Sequence, residues 1–218
     1  MLTDIPFYKA LTEEEKRHIS ESAYTVSYKR GTLIHSHGDP CLGMMRVTGG
    51  KVGVSILSEE GREATIFFLT AGMTCVLSSV CILRHVTADV YFSAETDTVL
   101  DIVPPQVMAR ILRENRTAEC EILRMTSETF SAITSHMQDI LFRSVDSRIA
   151  DVLLREAEET KSRELHLTHE QIARYIGSAR EVVTRILRKF RELGAIRVSH
   201  GTVEILSESA LKQIESKQ

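Results

Sequence analysis

Between Pro105 and Gly177 the chain runs for 71 residues without a proline or a glycine. A stretch free of the two strongest breakers of regular structure is helical in texture. Within it Ala118, Ile122, Met125, Thr129, Ile133, Met137 (or His136) and Ile140 recur at steps of three and four. That spacing predicts one apolar face on a helix of roughly 25–28 residues, with Asn115 or Thr117 as its cap. Such a helix is about 40 Å long. One small domain cannot cover it, so pairing with the same helix of a second copy is expected, through Ile122, Met125, Thr129, Ile133 and Ile140. Asp146 to Glu159 predict a further helix, with Ile149, Val152, Leu153 and Ala157 inward.

The 104 residues before this stretch have a different texture. Residues 11–22 form a short amphipathic helix opened by a Thr12–Glu15 capping box. From Tyr24 to Val103 short alternating segments (YTVSYK, TLIHSH, MMRVTG, KVGVSIL, EATIFFL, ADVYFSA, TVLDIV) are separated by turn signals such as Gly38-Asp39-Pro40, Gly49-Gly50 and Gly61. Many short strands at this spacing predict a β-sandwich or jelly roll.

Residues 165–206 carry the functional pattern. Thr168 is placed to cap a helix whose inner face is Ile172, Ala173 and Ile176. Gly177 supplies a tight corner, and Ser178 is the expected cap of the next helix. That helix has Val182, Val183, Ile186, Leu187, Phe190 and Leu193 as its apolar face and Gly194 as its stop. Residues 196–198 and 203–205, around His200-Gly201, predict a two-stranded ribbon. Helix, glycine corner, helix and hairpin make a winged helix-turn-helix. Arg180, Glu181, Thr184, Arg185 and Arg188 point away from the apolar face. Arg suits guanine O6 and N7, and Glu accepts from cytosine N4. The net charge of the chain is −3, yet residues 168–201 hold seven Lys and Arg against three Glu. A local basic patch on an acidic chain fits a nucleic-acid surface. Ser178, Thr168, Lys189 and His200 join these as candidate DNA contacts.

The stretch IGSAREVVTRILRKFRELGAI resembles the recognition motif of the CRP/FNR superfamily of bacterial regulators, and the likeness extends over nearly the whole chain. It implies an α+β protein in three parts: a jelly-roll sensor over 1–114, a dimerisation helix over 115–143 and a winged helix-turn-helix over 144–218. Arg180-Glu181-x-x-x-Arg185 is similar to the branch of the cyclic-AMP receptor protein. There these residues contact bases of a TGTGA-like half-site, whereas the FNR branch prefers TTGAT. The resemblance also implies a homodimer on double-stranded DNA with an inverted-repeat operator, acting through RNA polymerase.

The sensor departs from the nucleotide-binding pattern. Where that pattern has a Glu for the ribose and Arg-Ser or Arg-Thr for the phosphate, this chain has Leu77 and Ala88-Asp89. An Asp repels a phosphate, so cyclic AMP is not the expected effector. No cysteine precedes Cys41, against an iron–sulfur cluster. His35, His37 and His85 are weak candidates for a haem ligand. An unidentified small effector near Cys75, Leu77, Ser78, Cys81 and Asp89 stays open. So do two readings of Cys75 and Cys81, as buried small hydrophobes or as a redox-sensing pair.

Two other functional classes fit the residues less well. His35-Ser36-His37 has the spacing of a jelly-roll metal site, but no carboxylate and third His follow as that site needs, so neither metal nor enzymatic activity is expected. A cyclic-nucleotide-like protein-interaction module would leave the Arg180–Arg185 helix without a role. No apolar run approaches the roughly 18 residues that cross a bilayer. Met1 to Ala10 lack a signal pattern. The expectation is a cytoplasmic protein whose Cys41, Cys75, Cys81 and Cys120 stay reduced.

Overall fold

The computed structural model describes residues 2–36, 38–75, 90–199 and 201–216. The chain divides into two compact units. One comprises residues 1–57 and 66–133, the other 58–65 and 134–218. The division falls inside the long helix rather than at its ends.

The first unit opens with two short 3-10 turns and α1, Glu13–Ser22. The Thr12–Glu15 capping box is formed: the Glu15 N–H donates to Thr12 Oγ1 at 3.2 Å, and the Thr12 N–H donates to Glu15 Oε2 at 2.7 Å. Eight strands follow among the described residues: β1 Tyr24–Tyr28, β2 Leu33–His35, β3 Met44–Gly49, β4 Lys51–Leu57, β5 Glu63–Thr70, β6 Thr74–Cys75, β7 Tyr91–Ala94 and β8 Thr98–Val103. They form two four-stranded sheets, ordered β1-β8-β3-β6 and β2-β7-β4-β5. This is the expected jelly-roll architecture, with β6 as a strand too short for alternation to reveal.

The first sheet is buried on both faces, which explains why Met44, Met45, Arg46 and Val47 are buried in succession. Side chains alternate across a strand. Met45, Val47, Leu100 and Ile102 therefore enter the core shared by the two sheets, with Val52, Val54 and Phe92. Met44 and Val103 enter a second core with Phe7, Ile19, Met108, Ile111, Ala118 and Ile122. The helices closing that core are α1, α2 (Pro105–Glu114, with Pro at its first turn) and the start of α3. Arg46 is buried yet satisfied. Its Nη1 donates to the Asp4 carbonyl at 3.0 Å, and Nη2 lies 3.7 Å from the Asp4 carboxylate.

Helix α3 spans Arg116–Phe142, 27 residues, within the expected length. Asn115 starts it, with Oδ1 accepting the Ala118 N–H at 3.0 Å. The face assigned to a partner chain is corrected by the structure. Ile122 and Met125 are buried in the second core, and Ile133 packs on the inter-sheet core. Thr129 donates its hydroxyl back to the Met125 carbonyl. Ile140 comes within 3.8 Å of where a side chain on Gly177 would begin. The protein's own cores thus take Ile122, Met125 and Ile133 of this face. The large exposed apolar residues of α3 are Leu123, Phe130, Met137, Leu141 and Phe142.

In the second unit α4 (Val145–Thr160) precedes β9 (Glu164–Leu165), α5 (His169–Ile176), α6 (Arg180–Glu192), β10 (Ile196–Ser199), β11 (Thr202–Ile205) and α7 (Glu208–Glu215). The wing is a three-stranded sheet ordered β10-β11-β9, not the two-stranded ribbon expected. A two-residue strand leaves no periodic signal. Ser144 caps α4, accepting the Ser147 N–H at 3.1 Å.

Candidate nucleic-acid interface

The helix-turn-helix is built from local signals the sequence carries openly. Thr168 caps α5, and Gln171 completes a capping box. Ile172, Ala173, Tyr175 and Ile176 are buried. Gly177 adopts the left-handed conformation at φ 61°. There the Ser178 N–H reaches the Ala173 carbonyl at 2.9 Å and the Gly177 N–H reaches that of Arg174 at 3.3 Å. Gly194, at φ 68°, closes α6 with the same pair of bonds, Ala195 to Phe190 and Gly194 to Arg191. Both ends are Schellman motifs, which glycine allows at no steric cost.

Helix α6 begins one residue later than the serine cap expected. Ala179 stands at the cap position and offers no side-chain bond, while Ser178 belongs to the corner. Val183, Ile186, Leu187 and Phe190 are buried, but Leu193 is 61% exposed, so it is not part of the inner face. Fixing this face against α5 turns Arg180, Glu181, Arg185 and Arg188 outward, and all four are exposed. Among the described residues none of the four forms an ion pair.

Three of the other basic residues are paired. Lys189 pairs with Asp146 of α4. Arg197 pairs with Glu204 at 2.6 Å across the wing, where the two are register partners. Arg174 lies 3.5 Å from Glu63. Among the described residues Arg180, Arg185, Arg188 and Arg191 carry the positive charge of α6 that no carboxylate pairs. Thr184, a candidate contact, is committed to structure. Its hydroxyl donates to the Arg180 carbonyl at 2.9 Å and meets His169 Nδ1 at 2.9 Å. His169 was passed over in the sequence, because no periodic pattern links positions 169 and 184. Burial, then the Arg180 charge, holds the His169 imidazole below its ordinary pKa. Thr168 is used as a cap, and His200 lies outside the described residues.

Of the proposed effector residues, Cys75 is buried on β6 opposite Met45. Leu77, Ser78, Cys81 and Asp89 lie outside the described residues, as does His37. Cys41 is not a thiol as expected. It is disulfide-bonded, while Cys75 and Cys120 are free. His35 sits 4.0 Å from Asp39, and burial holds its pKa down. Among the described residues no group of three His, Cys, Asp or Glu could hold a metal ion. None of the described helices is long and apolar enough to cross a membrane.

A glycine-cornered helix pair that turns unpaired arginines outward, followed by a wing, defines a DNA-binding transcription regulator of the winged helix-turn-helix class. Comparison with known proteins agrees. Residues 147–214 match the Crp-like helix-turn-helix domain, and residues 25–115 match the cyclic nucleotide-binding domain. The crystal structure of a protein assigned to the crp/fnr family of transcriptional regulators, from Eubacterium rectale, is 33% identical. It superimposes with a TM-score of 0.95 over 99% of this chain and 100% of its own. The global nitrogen regulator of Synechococcus elongatus is 26% identical over 85% of this chain and 87% of its own length. The transcriptional regulator SdrP of Thermus thermophilus is 25% identical over 87% and 93%. This chain belongs to the Crp/Fnr family of transcription regulators.

Proposed function

We propose that the chain works as a homodimer that reads an inverted-repeat operator and is switched by a signal other than cyclic AMP. The observation that carries the reading is the exposed, unpaired set Arg180, Glu181 and Arg185 on the outer face of α6. Two such helices, about 34 Å apart, would enter successive major grooves on one side of a duplex. Arg180 and Arg185 would each pair with a guanine and Glu181 with a cytosine, suiting a TGTGA-like arm.

The dimer contact runs along α3 through the exposed residues rather than the buried ones. Leu123, Phe130 and Met137 are spaced by seven. Ser127, Thr134 and Leu141 fall between and beyond them at alternating steps of four and three. This is the a/d pattern of a two-stranded coiled coil. Phe130 is 70% exposed and Leu141 69%, an apolar seam that a second copy would cover.

The signal enters at the first unit and acts by changing the balance between DNA-competent and incompetent arrangements. Leu77 and Asp89, in place of a ribose-binding Glu and a phosphate-binding Arg, argue against cyclic AMP. A small effector or a thiol-based signal fits better. The protein acts in the cytoplasm through contact with RNA polymerase and has no enzymatic activity.

The test is a titration of the full-length protein into a labelled duplex with inverted TGTGA arms, beside a scrambled duplex at the same salt. A preference of about 10³-fold or more is expected, the low end of specific recognition. Equal affinity for both duplexes, with and without thiol oxidation, would overturn the operator assignment.

A further inference from the structure

His169 is the first residue of α5, directly after the Thr168 cap. Its Nδ1 lies 2.9 Å from Thr184 Oγ1, and that hydroxyl lies 2.9 Å from the Arg180 carbonyl. A carbonyl only accepts, so the hydroxyl proton points at Arg180 and Thr184 must accept from His169. The hydrogen-bond network thereby assigns the neutral ring as the Nδ1–H tautomer. The other nitrogen, Nε2, makes no hydrogen bond among the described residues and is not among the buried polar atoms lacking a partner. It is therefore not fully buried, on a residue of intermediate exposure. Nδ1–H, Thr184 and the Arg180 carbonyl form a relay that pins this ring to the first turn of α6. From there Arg180 extends to the exposed face.

The charges around the ring are unequal. From α6 the group acting on it is Arg180, which opposes protonation. On α5 its neighbour is Glu170, and Arg174 one turn on is paired with Glu63. The start of α5 adds the partial positive charge of a helix N-terminus. In the free protein burial first, and then the Arg180 charge, disfavours the protonated ring. A nucleic-acid backbone brought against Arg180 reverses the local field, because each phosphate carries a full negative charge.

We infer that His169 is a proton-linked phosphate ligand of the DNA-contacting surface: binding DNA adds a proton from solvent at Nε2, which then donates to a backbone phosphate oxygen. The inference rests on α6 being the DNA-facing helix. It makes His169 sequence-independent, unlike Arg180 and Arg185, since phosphates are common to all duplexes. It also makes the affinity for DNA depend on pH without any change in the protein's fold. Each proton taken up raises affinity by at most about tenfold per pH unit fallen, between the ring's value in the free protein and its higher value in the complex. Thr184 and Arg180 stay in place throughout, because Nδ1–H donates in both protonation states.

The experiment uses the full-length protein and a labelled duplex of random sequence, at constant ionic strength, from pH 8 to pH 5.5. For the wild type, affinity is expected to rise as pH falls. In His169→Asn, whose amide keeps a donor for Thr184 but does not titrate, the rise should shrink measurably. In His169→Arg binding should be tight throughout the range. Independently, nuclear magnetic resonance of the His169 ring in the wild type should show its pKa moving upward on adding the duplex. Identical pH slopes for wild type and His169→Asn, or a ring pKa unmoved by the duplex, would overturn the inference. Arg185→Ala serves as the control on its foundation. If that variant binds its operator as the wild type does, the placing of α6 on DNA fails, which is a different failure from that of His169.

Discussion

Asp146, on the first turn of α4, holds the Lys189 ammonium of α6 in an ion pair, and so removes from the DNA face a cation that the sequence alone assigns to it. Arg188, one residue earlier, is exposed and has no such partner among the described residues. The two neighbours therefore divide in role. Arg188→Ala should weaken binding to every duplex alike and lower the slope of log affinity against log salt by about one. Lys189→Ala should leave that slope nearly unchanged and cost at most about 1 kcal/mol of stability, as exposed ion pairs do. Salt titrations of both variants beside urea denaturation check this. Equal salt slopes for the two would contradict it.

Arg180 and Arg185 extend from the first two turns of α6 with no carboxylate partner among the described residues. Replacing either by Ala should cost about 1–3 kcal/mol per half-site on the operator and relax preference at one base position. Loss on random DNA should be smaller. The check is competition binding with operator duplexes altered one base pair at a time. An equal loss on operator and random DNA would remove the residue from base readout.

Cys120 is exposed, free and three residues before Leu123, so it lies on the same apolar seam of α3. In a parallel, in-register pair the two copies of Cys120 face each other within reach of a disulfide, whose Cα atoms stand about 4.4–6.8 Å apart. Mild oxidation should give a covalent dimer that Cys120→Ser abolishes. Phe130→Asp should convert the protein to a monomer with an unchanged circular dichroism spectrum, since the ring is outside both cores. A Phe130→Asp protein that stays dimeric would place the contact elsewhere.

His136, on α3, is held below its ordinary pKa by burial first, with Arg155 and Arg148 adding to this and Asp139 and the Thr65 backbone opposing it. Its Nε2 is buried without a hydrogen-bond partner. The folded protein thus disfavours the protonated ring more than the unfolded chain does. The stabilisation is complete above the unfolded value of about 6.5 and is lost as pH falls through and below it. The midpoint of urea unfolding should therefore drop from pH 8 to pH 5.5, and less steeply in His136→Gln. Parallel profiles for the two proteins would show that His136 does not contribute.

The residues divide clearly into those whose placement is local and those whose placement is not. Thr12, Thr168, Gly177 and Gly194 act through bonds to atoms within five residues, so their spacing in the chain is enough to place caps, corner and helix stop. Short runs of strand-forming residues set off by turn signals likewise reveal β1, β3, β4 and β8, although the burial of β3 on both faces does not follow from its sequence. The outward set Arg180, Glu181, Arg185 and Arg188 follows from the inward set Val183, Ile186 and Leu187 by helical geometry alone. The class of protein and its DNA-reading helix were therefore determined by the sequence. Tertiary structure decided which surface each apolar or charged residue meets. A stripe on α3 needs a hydrophobic cover, but its period does not say whether that cover is the protein's own sheet or a partner, and Ile122 and Met125 proved to be taken internally. An arginine or lysine needs a counter-charge, but Lys189 found Asp146 across 43 residues and Arg174 found Glu63 across 111. The His169–Thr184 contact has the same character. Such pairs depend on where helices pack, and packing is set by the shapes of whole cores rather than by any local spacing.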